Sequence, residues 1–202
     1  MSARERILAR VRAALEKRPR APHPGSFKGA RTGEPPSDPV DGFVAAFTRS
    51  GGEVARVPDE AAASAWLATF ASGFRSVAVG ATVPPSLVPA LANAPPDAAA
   101  LGLSVAVAAV AETGTLVLDA RDGRLTQLLP STHVVFLRGA AVHATLAGML
   151  AALRPDLPSA LGLHSGPSKS ADIGQILVRG VHGPGRVVAL VVEASANPPA
   201  SP

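Results

Sequence analysis

Apolar side chains recur along the middle of the chain with two spacings, one typical of helices and one typical of strands. Over residues 40–47 they repeat at helical spacing, which predicts a helix that ends at Gly51 and Gly52. Asp59 is predicted to cap a second helix, which continues through Phe70. The two helices are therefore expected on either side of a short apolar run of strand type.

Short apolar runs bounded by Gly, Pro and charged residues predict the strands. The runs cover residues 54–57, 77–80, 103–110, 115–119, 134–137, 160–163 and 187–193. Further helices are predicted over residues 84–91 and 142–153, and a hairpin is predicted around residues 111–114. Because strands and helices alternate, the predicted fold class is α/β, with a mostly parallel sheet and helices on both faces.

The beginning of the chain has a different composition. Residues 1–18 combine a capping-box start with one apolar face, which predicts a basic amphipathic helix. Residues 19–39 are rich in Pro and predict an extended linker. Residues 40–193 are predicted to form the α/β domain, and residues 194–202 a disordered tail. Residues 1–31 contain nine Lys and Arg against two Glu, so the basic character belongs to this arm.

The composition excludes several classes of function. The 202 residues contain no Cys, which excludes a disulfide framework, a thiolate metal site and a cysteine-ligated iron–sulfur cluster within the chain. Aromatic residues make up 3%, which leaves few stacking platforms and makes nucleic acid an unlikely partner. No apolar run is long enough to span a membrane, and the N-terminus has no apolar leader. We therefore expect a cytoplasmic protein.

One loop combines residue types that a simple connection does not need. Gly166 allows a turn with positive φ, and Ser168 or Ser170 is placed to cap a helix that opens at residues 171–172. Free backbone N–H groups at this turn, beside Lys169, would form an anion site. The alternative is a tight strand-to-helix turn with ordinary capping.

Other familiar chemistries do not fit the spacing of the chain. There is no G-x-G-x-x-G fingerprint and no P-loop. His133, His143, His164 and His182 are about ten or more residues apart, which does not indicate a metal site. The sequence therefore predicts no metal ligand set and no dinucleotide cofactor in this chain.

Four short motifs occur together in a specific order. They lie at residues 112–115, 128–133, 166–173 and 180–184. In this combination the chain resembles the LUD-domain family, in particular its lactate utilization protein C group, over about residues 40–193. The family usually has Arg where this chain has Lys169, which keeps the charge but loses the two-pronged carboxylate contact of Arg.

The resemblance implies a fold, a function and partners. The implied fold is similar to the NagB/RpiA/CoA-transferase group. The implied role is that of a subunit in a complex that oxidises L-lactate to pyruvate together with iron–sulfur partner proteins encoded with it. Because this chain has no Cys, the iron–sulfur clusters are expected in the partner subunits and no cofactor is expected in this chain.

The expected site is a cleft at the carboxyl ends of the strands, where open α/β sheets bind ligands. Glu112 and His182 are the predicted acid and base, with His133 as a weaker third candidate. The ligand is expected to be a small carboxylate or phosphate. Its predicted binding residues are Thr113, Gly114, Thr115, Arg124, Gly166, Ser168, Lys169, Ser170 and Asp172.

Two further interpretations remain open at this point. A CoA-transferase-like fold uses a glutamate at a glycine-containing strand end as nucleophile, so Glu112 would serve a stand-alone acyl-transfer or sugar-phosphate enzyme. Alternatively, the protein is a scaffold subunit with no chemistry of its own. In that case Glu112 is a turn residue whose carboxylate is satisfied by neighbouring amides.

Overall fold

The computed structural model describes residues 2–16, 36–170 and 177–193, in two compact units that divide at Pro35. The first unit contains helix α1, Ala3–Glu16, none of whose residues is buried. Its predicted capping box is present: Ser2 N donates to Glu5 Oε2 at 2.5 Å, and Glu5 N donates to Ser2 Oγ at 3.2 Å. Most of the predicted linker and all of the predicted tail lie outside the described residues.

The second unit contains the remaining elements. The helices are α2 Pro39–Arg49, α3 Glu60–Ala71, α4 Arg124–Leu128 and α5 Leu146–Leu153. The strands are β1 Glu53–Val57, β2 Ser76–Val79, β3 Ala92–Asn93, β4 Leu101–Val110, β5 Thr115–Asp119, β6 Thr132–Arg138, β7 Val142–His143, β8 Leu161–His164, β9 Lys169–Ser170, β10 Val178–Arg179 and β11 Arg186–Val192.

The central sheet has the strand order β1-β11-β6-β4-β2-β3, and every neighbouring pair in it is parallel. β4 leaves this sheet halfway along its length. Its first part, Leu101–Val105, pairs with β6, whereas residues 106–110 pair with β5 in an antiparallel hairpin that has an irregularity between Ala106 and Ala108. β8 then adds antiparallel to β5, and β7 runs parallel to the end of β4. This confirms the predicted α/β fold with its mostly parallel sheet and hairpin.

Successive residues of β6 point to opposite faces of the sheet, as strand geometry requires. Val135 packs with Phe43 and Phe47 of α2 on one face. Val134 packs with Leu67 of α3 on the other face. The strands are apolar at both alternating positions because each face is covered by a helix. The predicted placement of helices on both faces is therefore confirmed.

The predictions for two helices were wrong. Residues 84–91 contain only a single 3-10 turn, Pro85–Leu87. The helix predicted over residues 142–153 begins only at Leu146, because residues 142–143 form β7 beside the end of β4. There the carbonyl of His143 accepts from Ala111 N at 2.8 Å, so the end of β4 obtains a hydrogen-bond partner.

The loop after β8 also differs in part from its prediction. Lys169–Ser170 is a short strand, β9, that pairs antiparallel with β10. The helix predicted to open at residues 171–172 lies outside the described residues, as does Asp172.

A buried carboxylate links two neighbouring strands of the parallel sheet. Asp122 is 1% exposed, and its Oδ1 accepts from Thr82 N at 2.8 Å and from Thr82 Oγ1 at 2.9 Å. Its Oδ2 accepts from Val105 N at 3.2 Å. A Cβ on Gly80 would lie 2.4 Å from Asp122 Oδ1, so only Gly leaves room for the carboxylate there. Asp122 thus fastens the loop after β2 to the middle of β4.

None of the helices in the described ranges has the length and apolarity that a membrane span requires.

We expect Asp122→Ala to lower the free energy of unfolding by about 2–3 kcal/mol, because buried N–H groups lose their acceptor. Urea unfolding followed by circular dichroism measures this change. The matched control is Asp156→Ala, which removes an exposed ion pair with Arg121 and should cost under about 1 kcal/mol. Equal losses in the two variants would contradict the role given to Asp122.

Candidate functional site

Two loops meet through hydrogen bonds centred on Ser168. Ser168 N donates to the carbonyl of Pro184 at 2.9 Å, and Gly180 N donates to the carbonyl of Ser168 at 3.0 Å. His182 N donates to Ser168 Oγ at 3.3 Å. With the β9–β10 pair, these bonds hold the segment after β8 against the segment before β11. The hydroxyl proton of Ser168 remains able to donate to a ligand.

A cleft of about 320 Å³ opens between these loops. Its lining includes Ser165, Gly166, Ser168, Lys169 and His182. None of the described residues that line it is Asp or Glu. The structure therefore brings Gly166, Ser168 and Lys169 of the predicted loop together with His182 around one opening, whereas the predicted Ser170 is not among the described residues that line it.

Lys169 also has a structural contact. Its Nζ donates to the carbonyl of Ser50, the residue that caps the C-terminus of α2. A cation is favourable at this position because helix C-termini carry partial negative charge. Gly166, with φ 91°, lies against the same place: a Cβ there would be 2.8 Å from Ser50 O. The loop is thus fastened to the end of α2, and two further donors of the ammonium group point elsewhere.

The cleft lies at the amino ends of β6 and β11, whereas the sequence predicted a cleft at carboxyl ends. Gly185 N and Arg186 N donate to the carbonyl of Ser131 at 3.0 Å and 3.2 Å, immediately before the two strands begin. The reason is the antiparallel extension of the sheet. The chain enters the cleft from β8, which among the described strands pairs only with β5 and does not share the carboxyl edge of the parallel strands.

The hairpin loop after β4 reaches the same region through hydroxyl groups. Thr113 Oγ1 and Thr115 Oγ1 are 2.7 Å apart, and Thr115 Oγ1 and Ser165 Oγ are also 2.7 Å apart. Gly114 has φ 60°, and a Cβ there would lie 2.3 Å from Phe47 N. Close packing on α2 therefore fixes the position of the hairpin. The hydroxyl groups of Thr113, Thr115 and Ser165 form a row that ends at the cleft.

Glu112 faces a different partner. Its Oε1 accepts from Leu146 N at 2.7 Å, at the start of α5, where Thr145 Oγ1 also accepts from Gly148 N at 3.1 Å. Negative charge at a helix N-terminus is favourable. In this structure Glu112 has the capping contact expected of a turn residue, and it is not among the described residues that line the cleft.

His133 is fully buried on β6. Its Nε2 lies 3.0 Å from Ser104 Oγ, and its Nδ1 has no hydrogen-bond partner among the described residues. Burial and, to a lesser extent, the positive charge of the nearby His164 lower the pKa of His133 to about 3. His133 is therefore neutral at physiological pH and does not line the cleft that contains His182.

His164 is a candidate that the sequence analysis did not select. It lines the first cleft and also a second one of about 260 Å³, together with Arg124 and Gln127. Burial lowers the pKa of His164. A Cβ on Gly162 would lie 2.7 Å from His164 Nε2, so the imidazole occupies space that only Gly leaves free. The Gly-x-His spacing on a strand was the available signal, because it places both residues on one face.

The described part of the chain offers no ligand set for a metal ion. It contains no group of three or more His, Asp, Glu or Cys side chains arranged to hold a metal ion.

Comparison with known proteins identifies relatives. The LUD domain family matches residues 97–192. Proteins called lactate utilization protein C are similar: that of Macrococcus caseolyticus is 34% identical over 105 residues, covering 48% of this chain and 46% of its own. That of Exiguobacterium sp. is 38% identical over 100 residues, covering 46% and 44%. Each match thus spans less than half of the relative.

A solved structure has a similar fold. A DUF162 family protein from Deinococcus radiodurans superimposes with a TM-score of 0.62 at 22% identity, covering 77% of this chain and 97% of that chain. At this level of identity the likeness concerns the fold alone.

We expect His133→Gln to weaken the pH dependence of stability. The unfolded chain binds a proton at His133 near pH 6.5, whereas the folded chain binds it only at about pH 3. Stability is therefore lost as pH falls through this window, by about 2 kcal/mol from pH ~7 to ~5. Urea unfolding over this range measures the slope. Gln can still hydrogen-bond Ser104, and identical slopes in variant and wild type would disprove the assignment.

We expect Glu112→Gln and Glu112→Ala to differ in stability. Gln keeps a side-chain oxygen for Leu146 N, whereas Ala leaves that N–H without its acceptor and should cost about 1 kcal/mol. Thermal unfolding of both variants measures the difference. If both variants unfolded at the wild-type temperature, the contact between Glu112 and Leu146 N would not contribute to stability.

Proposed function

We propose that the protein is a subunit of an L-lactate utilization system, because the LUD domain family matches residues 97–192 of this chain. The proposal is supported by the relatives called lactate utilization protein C, which match about half of this chain at 34% to 38% identity. The matched part includes the hairpin loop, the second cleft and the loops around Ser168.

The chemistry proposed for this subunit is the binding of a small carboxylate in the Lys169 cleft. The observation that carries it is the lining: Lys169, Ser165 and Ser168 supply donors, and the described lining contains no carboxylate. A carboxylate such as L-lactate would pair with the ammonium group and accept from the hydroxyls. His182 lies at the same opening and is proposed as the group that accepts or returns a proton.

The redox centres are proposed to lie in partner proteins. Oxidation of L-lactate to pyruvate removes two electrons and two protons, and the electrons require an acceptor. The 202 residues contain no Cys to ligate an iron–sulfur cluster. We therefore assign substrate binding to this chain and electron transfer to iron–sulfur partner subunits.

Ligand binding is tested by thermal unfolding with L-lactate, pyruvate and phosphate. A ligand that binds the folded state should stabilise the wild type by about 1–3 kcal/mol at saturation. Lys169→Gln should remove most of this gain, because the charge is lost while the chain length is similar. The control Arg154→Gln changes an exposed cation on another part of the domain and should keep the gain. Equal stabilisation of both variants would exclude the Lys169 cleft as the site.

The role in lactate oxidation is tested by reconstitution. The protein is purified with candidate iron–sulfur partners, and lactate-dependent reduction of an acceptor dye is measured. His182→Ala should lower turnover while it keeps the thermal stabilisation by ligand. Full turnover without this chain would refute the subunit assignment.

A further inference from the structure

Exposed apolar side chains surround the clefts described above. Leu128, Leu129, Leu163 and Val181 are between 41% and 52% exposed. Leu128, Leu129 and Val181 line a third cleft of about 560 Å³, and Leu128 borders all three. Continuous exposed apolar surface of this kind is typical of sites where another molecule docks.

The strand beside this surface has an open edge. β8 pairs with β5 on one side and with no other described strand. Ala120 N donates to the carbonyl of Ala160, so hydrogen-bonded pairs continue at Gly162 and His164 in the alternating antiparallel pattern. The backbone N–H and C=O groups of Leu161 and Leu163 consequently face away from β5. An unpaired edge of this kind is a template for an additional strand.

The charged side chains around the clefts have one sign. Arg124, Lys169 and Arg179 line the three openings. The described lining residues include no Asp and no Glu. A second copy of this chain would therefore bring like charges together at this edge, whereas a segment with acidic side chains would be attracted.

We propose that the outer edge of β8 binds an extended acidic and apolar segment of a partner protein, which adds as a strand. Backbone groups of Leu161 and Leu163 supply the hydrogen bonds, as in other cases of strand addition. Alternate side chains of the segment point to opposite faces. Apolar ones contact the exposed leucines and acidic ones contact the basic rim. This docking site does not depend on which small anion enters the Lys169 cleft.

The experiment uses the full chain and fluorescein-labelled peptides of about six residues, a typical strand length. In one peptide Val alternates with Glu, and in the other Val alternates with Lys. Fluorescence anisotropy should show saturable binding of the Val–Glu peptide, at least about tenfold tighter than that of the Val–Lys peptide, and weaker at high salt. No saturable binding, or equal affinity for the two peptides, would overturn the proposal.

Variants of Leu163 test the edge itself. Leu163→Pro removes the outward N–H, is tolerated on edge strands, and should weaken Val–Glu binding at least about tenfold. Leu163→Glu and Leu163→Lys keep the backbone N–H and remove the same apolar side chain. They keep the proposal testable if the Pro variant fails to fold. Glu should weaken binding more than Lys. Unchanged binding in all three variants would overturn the proposal. So would a dimer of the wild-type chain in sedimentation equilibrium that the Leu163→Pro substitution dissociates, because a second copy of the chain would then occupy the edge.

Discussion

The division of β4 between two sets of neighbours is the constraint on which the second unit depends. Its first half lies between β2 and β6 in the parallel sheet, and its second half pairs with β5 and β7. Ala106, Ala108 and Ala109 are buried where the direction changes. Their small side chains let the layers approach closely. Without this change of partner, the β5–β8 pair would have no connection to the sheet, and the two clefts lined by β8 would not form.

The sequence predicted elements whose evidence is local. Periodicity located α2, α3 and the main strands, and the cap at Asp59 was correct because its bond to Ala62 N spans only three residues. β7 was missed because it consists of two residues whose strand character comes from β4. The short strand Lys169–Ser170 likewise depends on partners eight and ten residues further along the chain. Short elements that depend on distant partners have no periodic pattern of apolar residues from which they could be predicted.

The site was predictable only where its evidence is local in the sequence. The order of motifs indicated the loops, and the structure brings Ser168, Lys169 and His182 to one cleft. Its position at the amino ends of the strands depends on the antiparallel extension, which a rule for parallel sheets does not include. The sequence did not predict that Asp122 and His133 would be almost completely buried. Both make hydrogen bonds to residues more than fifteen positions away in the sequence.

The contact between Lys169 and the carbonyl of Ser50 makes the end of α2 part of any binding event at this loop. A carboxylate that draws the ammonium group into the cleft pulls it away from that carbonyl. By thermodynamic reciprocity, whatever loosens the last turn of α2 then raises affinity for the anion, and the anion loosens the turn to the same degree. Because Gly114 of the hairpin rests on the backbone of Ala46 and Phe47, this balance extends to the loop that precedes β5.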